Sequence, residues 1–329
     1  MTTPTWFHSP FRPYAATVTT HVTAACIHEC AATCSSDVGV QLKTLACGVR
    51  CHHYLPSVKG KQRVVGLVII VAGPLAEMGP GTPRTNHAAS PSTTAIFPVL
   101  ARRLAADGFA VLHMMGRGER RPPVDPAVRR SPKQLEACLQ DVEAAARFLR
   151  VVHEHESAAG AGGSLSLTLL SHGDGGPAAM AAAAASLRMS PPAPRGLAPL
   201  AGVIAVSSSV RANDASHSFG ESDTVAATRA LAARSVPLLL MHGLDDATID
   251  PHSTSLIFES AGAPKAAVYV RGADHLMRAR FKDVLQTLLA WTRSLQRRFC
   301  VSGDAEGQMS PPQEVEDEGS IAFGRAVCI

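Results

Sequence analysis

Continuous apolar runs alternate with helix-period stretches through the middle of this chain. VVGLVIIVAG (64–73) is apolar throughout, the pattern of a strand covered on both faces. A polar loop rich in Gly, Pro, Ser and Thr follows at 74–92. TTAIFPVLARRLAADG then has a helical pattern and stops at Gly108, a residue suited to the position just past a helix end. FAVLHMM (109–115) predicts the next strand. After a basic loop, Ser131, Pro132, Lys133 and Gln134 have the form of a capping box with proline at the first helical position. They open a helix whose predicted apolar face is Leu135, Cys138, Leu139, Val142, Phe148, Leu149 and Val152. Four more short strands are expected at 165–170, 202–207, 237–243 and 266–272. Helices are expected at 174–187, 222–234, 252–261 and about 276–298.

Repeated strand–helix units imply a mostly parallel sheet with helices on both faces, an α/β architecture. Ahead of them, VTAACIHECAATC and VQLKTLACGVRC flank SSDVG and predict an antiparallel hairpin at the sheet edge. Five of the eight cysteines fall here: Cys26, Cys30, Cys34, Cys47 and Cys51. A turn at Val38 and Gly39 would set Cys26 opposite Cys51 and Cys30 opposite Cys47, which would suit disulfides in an oxidising compartment. With no secretory signal, the cysteines are read instead as reduced, small apolar residues. Zinc held by one pair with His28, His52 or His53 is the lesser alternative, and no metal or other cofactor is expected.

LSLTLLSHGDGG (165–176) has the outline of a strand–turn–helix nucleophile elbow, G-x-S-x-G, without its serine. Ser171 takes the first small position, His172 the next, and Gly175 and Gly176 lead into an Ala-rich helix. The central position is Gly173. Glycine supplies backbone freedom there but no group that can attack.

The order of these segments resembles the α/β-hydrolase superfamily, in its esterase, lipase and serine-aminopeptidase-like branch, over roughly residues 34–299. MHGLDDATID (241–250) is similar to that family's HG-x-x-D-x-x-V segment, which implies Asp246 as the acid, with Asp245 beside it. RGADHLM (271–277) resembles its G-x-x-H segment and implies His275 as the base. DVEAAARFLR (141–150), GFAVLHMMGRGE (108–119) and SDVGVQLKTLACG (36–48) resemble the helix before the elbow, the fourth strand with its turn, and the N-terminal hairpin.

In such an enzyme the histidine takes the nucleophile's proton while the acid fixes its tautomer. The oxyanion hole needs backbone N–H groups from the residue after the nucleophile and from the loop after the third strand. The resemblance assigns those places to Asp174 and to Pro74 with Leu75, and proline has no N–H. Three substitutes for the missing hydroxyl are considered: Asp174 as an aspartate nucleophile, Ser171 displaced to the strand's end, or a water activated by His275 and Asp246. The reading that follows is a hydrolase-like protein, weak or inactive as a serine hydrolase, which keeps a pocket for a small molecule or a protein partner. The alternative is an active hydrolase of small esters, thioesters or amides.

Composition adds exclusions. A net charge of +4 on 329 residues argues for neither nucleic acid nor a membrane surface. No apolar run reaches the roughly 18–20 residues of a transmembrane helix. The basic loop from Arg117 to Lys133 is read as solvated surface. The expected organisation is a disordered leader (1–21), an α/β-hydrolase domain (22–300) with a short lid at about 211–235, and a disordered acidic tail (301–329). The expected location is the cytoplasm, with an organelle as the alternative because the N-terminus is poor in acids.

Overall fold

The computed structural model describes residues 38–45, 47–56, 64–71, 96–117, 132–158, 165–173, 175–188, 199–210, 221–302 and 326–329. Nine strands form one sheet: β1 (Gly39–Thr44), β2 (Val49–Leu55), β3 (Gly66–Val71), β4 (Phe109–Arg117), β5 (Leu167–His172), β6 (Leu200–Val206), β7 (Leu238–Gly243), β8 (Lys265–Val270) and β9 (Ala326–Cys328). Their order across the sheet is β1-β2-β4-β3-β5-β6-β7-β8-β9. β2 pairs antiparallel with β1 and β4, and every other pairing is parallel.

Among the described residues six helices cover the sheet: α1 (Ile96–Ala106), α2 (Pro132–Ala158), α3 (Gly175–Arg188), α4 (Glu221–Ala233), α5 (His252–Ser260) and α6 (Phe281–Ser302). Period-two alternation divides the strands between two apolar layers. Leu67, Ile69 and Val71 of β3 pack with residues of α2, α3, α4 and α5. Val68 and Ile70 pack with α1 and α6 on the other face. All six residues of β3 are buried, as its continuous apolar run predicts. Burying each such Val, Leu or Ile side chain contributes about 1.5–3 kcal/mol. Small residues let the helical layer close: Ala179, Ala182, Ala183 and Ala184 of α3 all lie in the core.

Three differences from expectation have local causes. The hairpin at the edge is β1 with β2, and its turn runs from Leu45 to Val49, so Cys51 stands opposite Lys43. Most of β1 is exposed or half-buried, so no buried face pins its register in the sequence. Cys26, Cys30 and Cys34 lie outside the described residues. On α2 the buried line is Val142, Ala145, Ala146, Leu149 and His153, whereas Val152 is 43% exposed. Four residues beyond Leu149 falls on His153, which leaves Val152 turned away from the sheet. At the C-terminus, β9 pairs with β8 inside the stretch read as a disordered tail, and Ile329 exchanges backbone hydrogen bonds with Tyr269 and Arg271.

Of the segment read as a lid, 211–220 lies outside the described residues. Residues 221–233 form α4, whose Ala227 and Leu231 are core residues. Among the described residues no helix is long and apolar enough to cross a membrane.

Candidate active site

The chain passes from β3 to β4 on one side and then returns to β5 on the other. The strand order therefore reverses between β3 and β5, and in open parallel sheets ligands bind at the carboxyl edge of such a switch point. Gly173 follows β5 at this edge. Its φ is +57°, in the left-handed region that glycine adopts without a Cβ penalty. Its N–H donates to Val206 O at 3.0 Å, and its carbonyl accepts from Gly176 N–H at 3.0 Å. The backbone thus turns sharply out of the sheet and into α3. A Cβ built on Gly173 would lie 3.5 Å from His275 Nε2 and 3.6 Å from its Cε1.

His275 comes from the loop after β8 and Asp246 from the loop after β7. The two loops approach each other closely at Gly243, where a Cβ would stand 2.2 Å from Ala273 O, so only glycine fits. Leu244 N–H donates to Val270 O and Asp245 N–H to Ala273 O, binding the loops together. Asp246 is 7% exposed and His275 6%. His275 Nδ1 is 2.8 Å from Asp246 Oδ2. A carboxylate only accepts, so Nδ1 carries the hydrogen and Nε2 presents its lone pair toward Gly173. Asp245, next to it, is exposed.

Asp246 is heavily engaged. Its Oδ1 accepts from the backbone N–H groups of Thr248 at 2.8 Å and Ile249 at 2.9 Å. Its Oδ2 also meets His242 Nε2 at 3.1 Å. Burial alone would raise this carboxyl's pKa, but the hydrogen bonds from His242, His275 and Ile249 hold it far below the usual carboxylate range. Asp246 is therefore ionised.

His172, the last residue of β5, is 1% exposed. Its Nε2 donates to His275 O at 2.9 Å, which anchors the backbone of the histidine loop. Its ring lies 4.6 Å from that of His275 and 5.2 Å from that of Phe97. Burial first, and then the neighbouring His275, lower its pKa to about 4, so it is neutral at physiological pH. Ser171 is fully buried within β5, and its hydroxyl donates to Ile204 O at 3.1 Å.

The structure thus brings Gly173, Asp246 and His275 together and leaves Ser171 inside the sheet. Asp174, Pro74 and Leu75 lie outside the described residues. His242 was missed in the sequence, although its spacing of four from Asp246 in HG-x-x-D was a signal. Thr254, its other partner, carries no signal at all. Among the described residues no three His, Cys, Asp or Glu side chains are grouped to hold a metal ion.

Solved structures of hydrolytic enzymes share this architecture. The esterase domain of a Rhodothermus marinus protein superposes with a TM-score of 0.50 at 18% identity, over 78% of this chain and 98% of that one. This chain adopts the α/β-hydrolase fold. Est1E from Butyrivibrio proteoclasticus matches with a TM-score of 0.50 at 14% identity, over 78% of this chain and 98% of its own. A truncated carbohydrate esterase from gut microbiota matches with a TM-score of 0.50 at 15% identity, over 80% and 99%. No family model matches the sequence. No curated protein matches it either. At these identities the likeness establishes the α/β-hydrolase fold alone.

Proposed function

We propose that this is an α/β-hydrolase-fold protein, weak or inactive as a serine hydrolase, that keeps a pocket at the carboxyl edge of its sheet for a small molecule or a protein partner. Gly173 holds the nucleophile position, while Asp246 and His275 persist as acid and base. The observation that carries this reading is the 3.5 Å separation between His275 Nε2 and a Cβ placed on Gly173. A serine there would put its hydroxyl within reach of the base, and glycine offers nothing to attack with. Loss of a catalytic nucleophile costs orders of magnitude in rate. Pro74, in place of an oxyanion N–H donor, would cost roughly another 10²–10³. Ser171 is disfavoured because its hydroxyl is buried and already bonded to Ile204 O. Asp174 as nucleophile would require His172 in a position that needs a small residue.

A second reading is favoured by the lone pair of His275 facing the space beside Gly173. A water held there would lose a proton to His275 Nε2, and the hydroxide would add to a carbonyl carbon. The proton would pass to the leaving group as its bond breaks, giving slow hydrolysis without an acyl-enzyme. The esterases among the structural neighbours point to an ester, thioester or amide as the bond.

A serine-reactive fluorophosphonate probe and a panel of activated esters test both. The main reading expects no labelling and no turnover above background. Slow turnover that is abolished in His275→Ala would replace it with the second. Labelling that disappears in Ser171→Ala would overturn both. The proposal includes a leader (1–21), a domain (22–300), an acidic tail ahead of β9, and a cytoplasmic location.

A further inference from the structure

Asp246 and His275 form a hydrogen-bonded pair without help, yet a second histidine binds the same carboxylate. His242, the penultimate residue of β7, is fully buried. Its Nε2 faces two oxygens, Asp246 Oδ2 at 3.1 Å and Ile249 O at 3.0 Å. Neither oxygen can donate, so Nε2 carries the hydrogen and shares it between them. Its Nδ1 lies 2.7 Å from Thr254 Oγ1, on the first turn of α5, and Thr254 is also fully buried. In the neutral ring Nδ1 is an acceptor, so the Thr254 hydroxyl donates to it. Two independent contacts therefore fix one tautomer. Charging both histidines would set two cations on one buried anion.

The orientation of Asp246 does not depend on His242. Oδ1 is held by the Thr248 and Ile249 N–H groups. What His242 does is compete for Oδ2, the oxygen that His275 Nδ1 uses at 2.8 Å. We propose that His242 is a positioning residue, locked by Thr254, which takes a share of Asp246 Oδ2 and so restrains the basicity of His275 Nε2. A donor on the carboxylate disperses its charge and leaves less to stabilise an imidazolium on the other side.

The other titratable groups of this cluster are Asp246 itself, His275 from the loop after β8, and His172 from the end of β5, 4.6 Å from His275. His172 is neutral at physiological pH, its pKa being lowered to about 4 by burial, then by His275 and, more weakly, by His242. α5 contributes the Thr254 hydroxyl.

This inference rests on reading Asp246 and His275 as the proton-handling pair, but it is tested without turnover. Histidine-selective ¹⁵N labelling of the full chain reports ring tautomers and titration midpoints by NMR. The expected spectrum has His242 as the Nε2–H tautomer and His275 as the Nδ1–H tautomer. In His242→Leu, which fills the volume without a donor, His275 should bind its proton about tenfold more tightly, a midpoint about one pH unit higher. His242→Gln restores an amide N–H and should return the midpoint to within a few tenths. A merely structural role would not separate these two variants. An unchanged midpoint in His242→Leu, or equal displacement in both, overturns the proposal. Should His242→Leu fail to fold, an Nδ1–H tautomer of His242 in the unsubstituted chain would overturn it alone. A chain that turns over no ester yet shows the His275 displacement would sink water activation and leave this inference standing.

Discussion

The two halves of the candidate site are built to different standards. On the acid–base half, one carboxylate receives two histidine N–H groups and two backbone N–H groups, and each of those histidines is held by a further contact or loop. On the elbow half, the same edge of the sheet carries a single glycine with φ of +57°, where a Cβ would rest in van der Waals contact with the His275 ring. The turn from strand to helix is present, and Gly173 at its tip carries no side chain. The contrast teaches that the elbow's geometry and its chemistry are separable. A left-handed residue other than glycine costs about 1–2 kcal/mol, so a serine elbow stores strain that Gly173 releases. The polar network on the other half has no such release, because the buried Nδ1–H of His275 would lose its acceptor if Asp246 were removed.

Acid should strain this contrast most. His53, His113 and His172 are buried, and burial first of all lowers each pKa to about 4, with neighbouring histidines adding to it. The unfolded chain binds these protons near pH 6.5 and the folded one not until about pH 4. Stability is therefore complete above pH 6.5 and falls as pH drops toward 4, by roughly 1.4 kcal/mol per unit for each histidine. Urea melts across this range check it, and a flat profile would contradict the burial of neutral histidines. His113 has no hydrogen-bond partner for either ring nitrogen among the described residues, so His113→Leu should flatten the slope.

Asp246→Ala comes next. It takes the carboxylate from the His275, Thr248 and Ile249 donors, while His242 Nε2 keeps Ile249 O, and a loss of about 3–5 kcal/mol is expected in denaturant melts. A loss below 1 kcal/mol would mean the network is looser than its distances imply. Gly173→Ser should cost only about 1 kcal/mol, set by the left-handed backbone rather than by a clash. Ser171→Ala removes one buried hydrogen bond, costing about 1 kcal/mol or less, and should leave any ester turnover unchanged.

Much of this was legible in the sequence where burial imposes a period. β3 to β8 and their helices follow from continuous apolar runs and helical spacing, and the elbow, acid and histidine segments sit at the strand ends where such sites form. The hairpin turn was not legible, because Val40 and Leu42 of β1 are exposed and a cysteine alternation fits more than one register. His153 was missed on α2 because a histidine interrupts the apolar line that Val152 continues in the sequence. His242 was missed because its partners, Thr254 and Ile249 O, are brought to it only by the turn after β7 and the start of α5. β9 was missed because three apolar residues after a long acidic stretch carry no period.

In the proposed reading, the Asp246–His275 pair is assembled beside Gly173, and a hydroxyl placed there would lie within its reach. Fluorophosphonate labelling of the unsubstituted chain, Gly173→Ser, and Gly173→Ser combined with His275→Ala tests it most directly. The first should stay unlabelled, the second should label, and the third should lose that labelling. Labelling of the unsubstituted chain, or labelling of Gly173→Ser that survives the loss of His275, would contradict it.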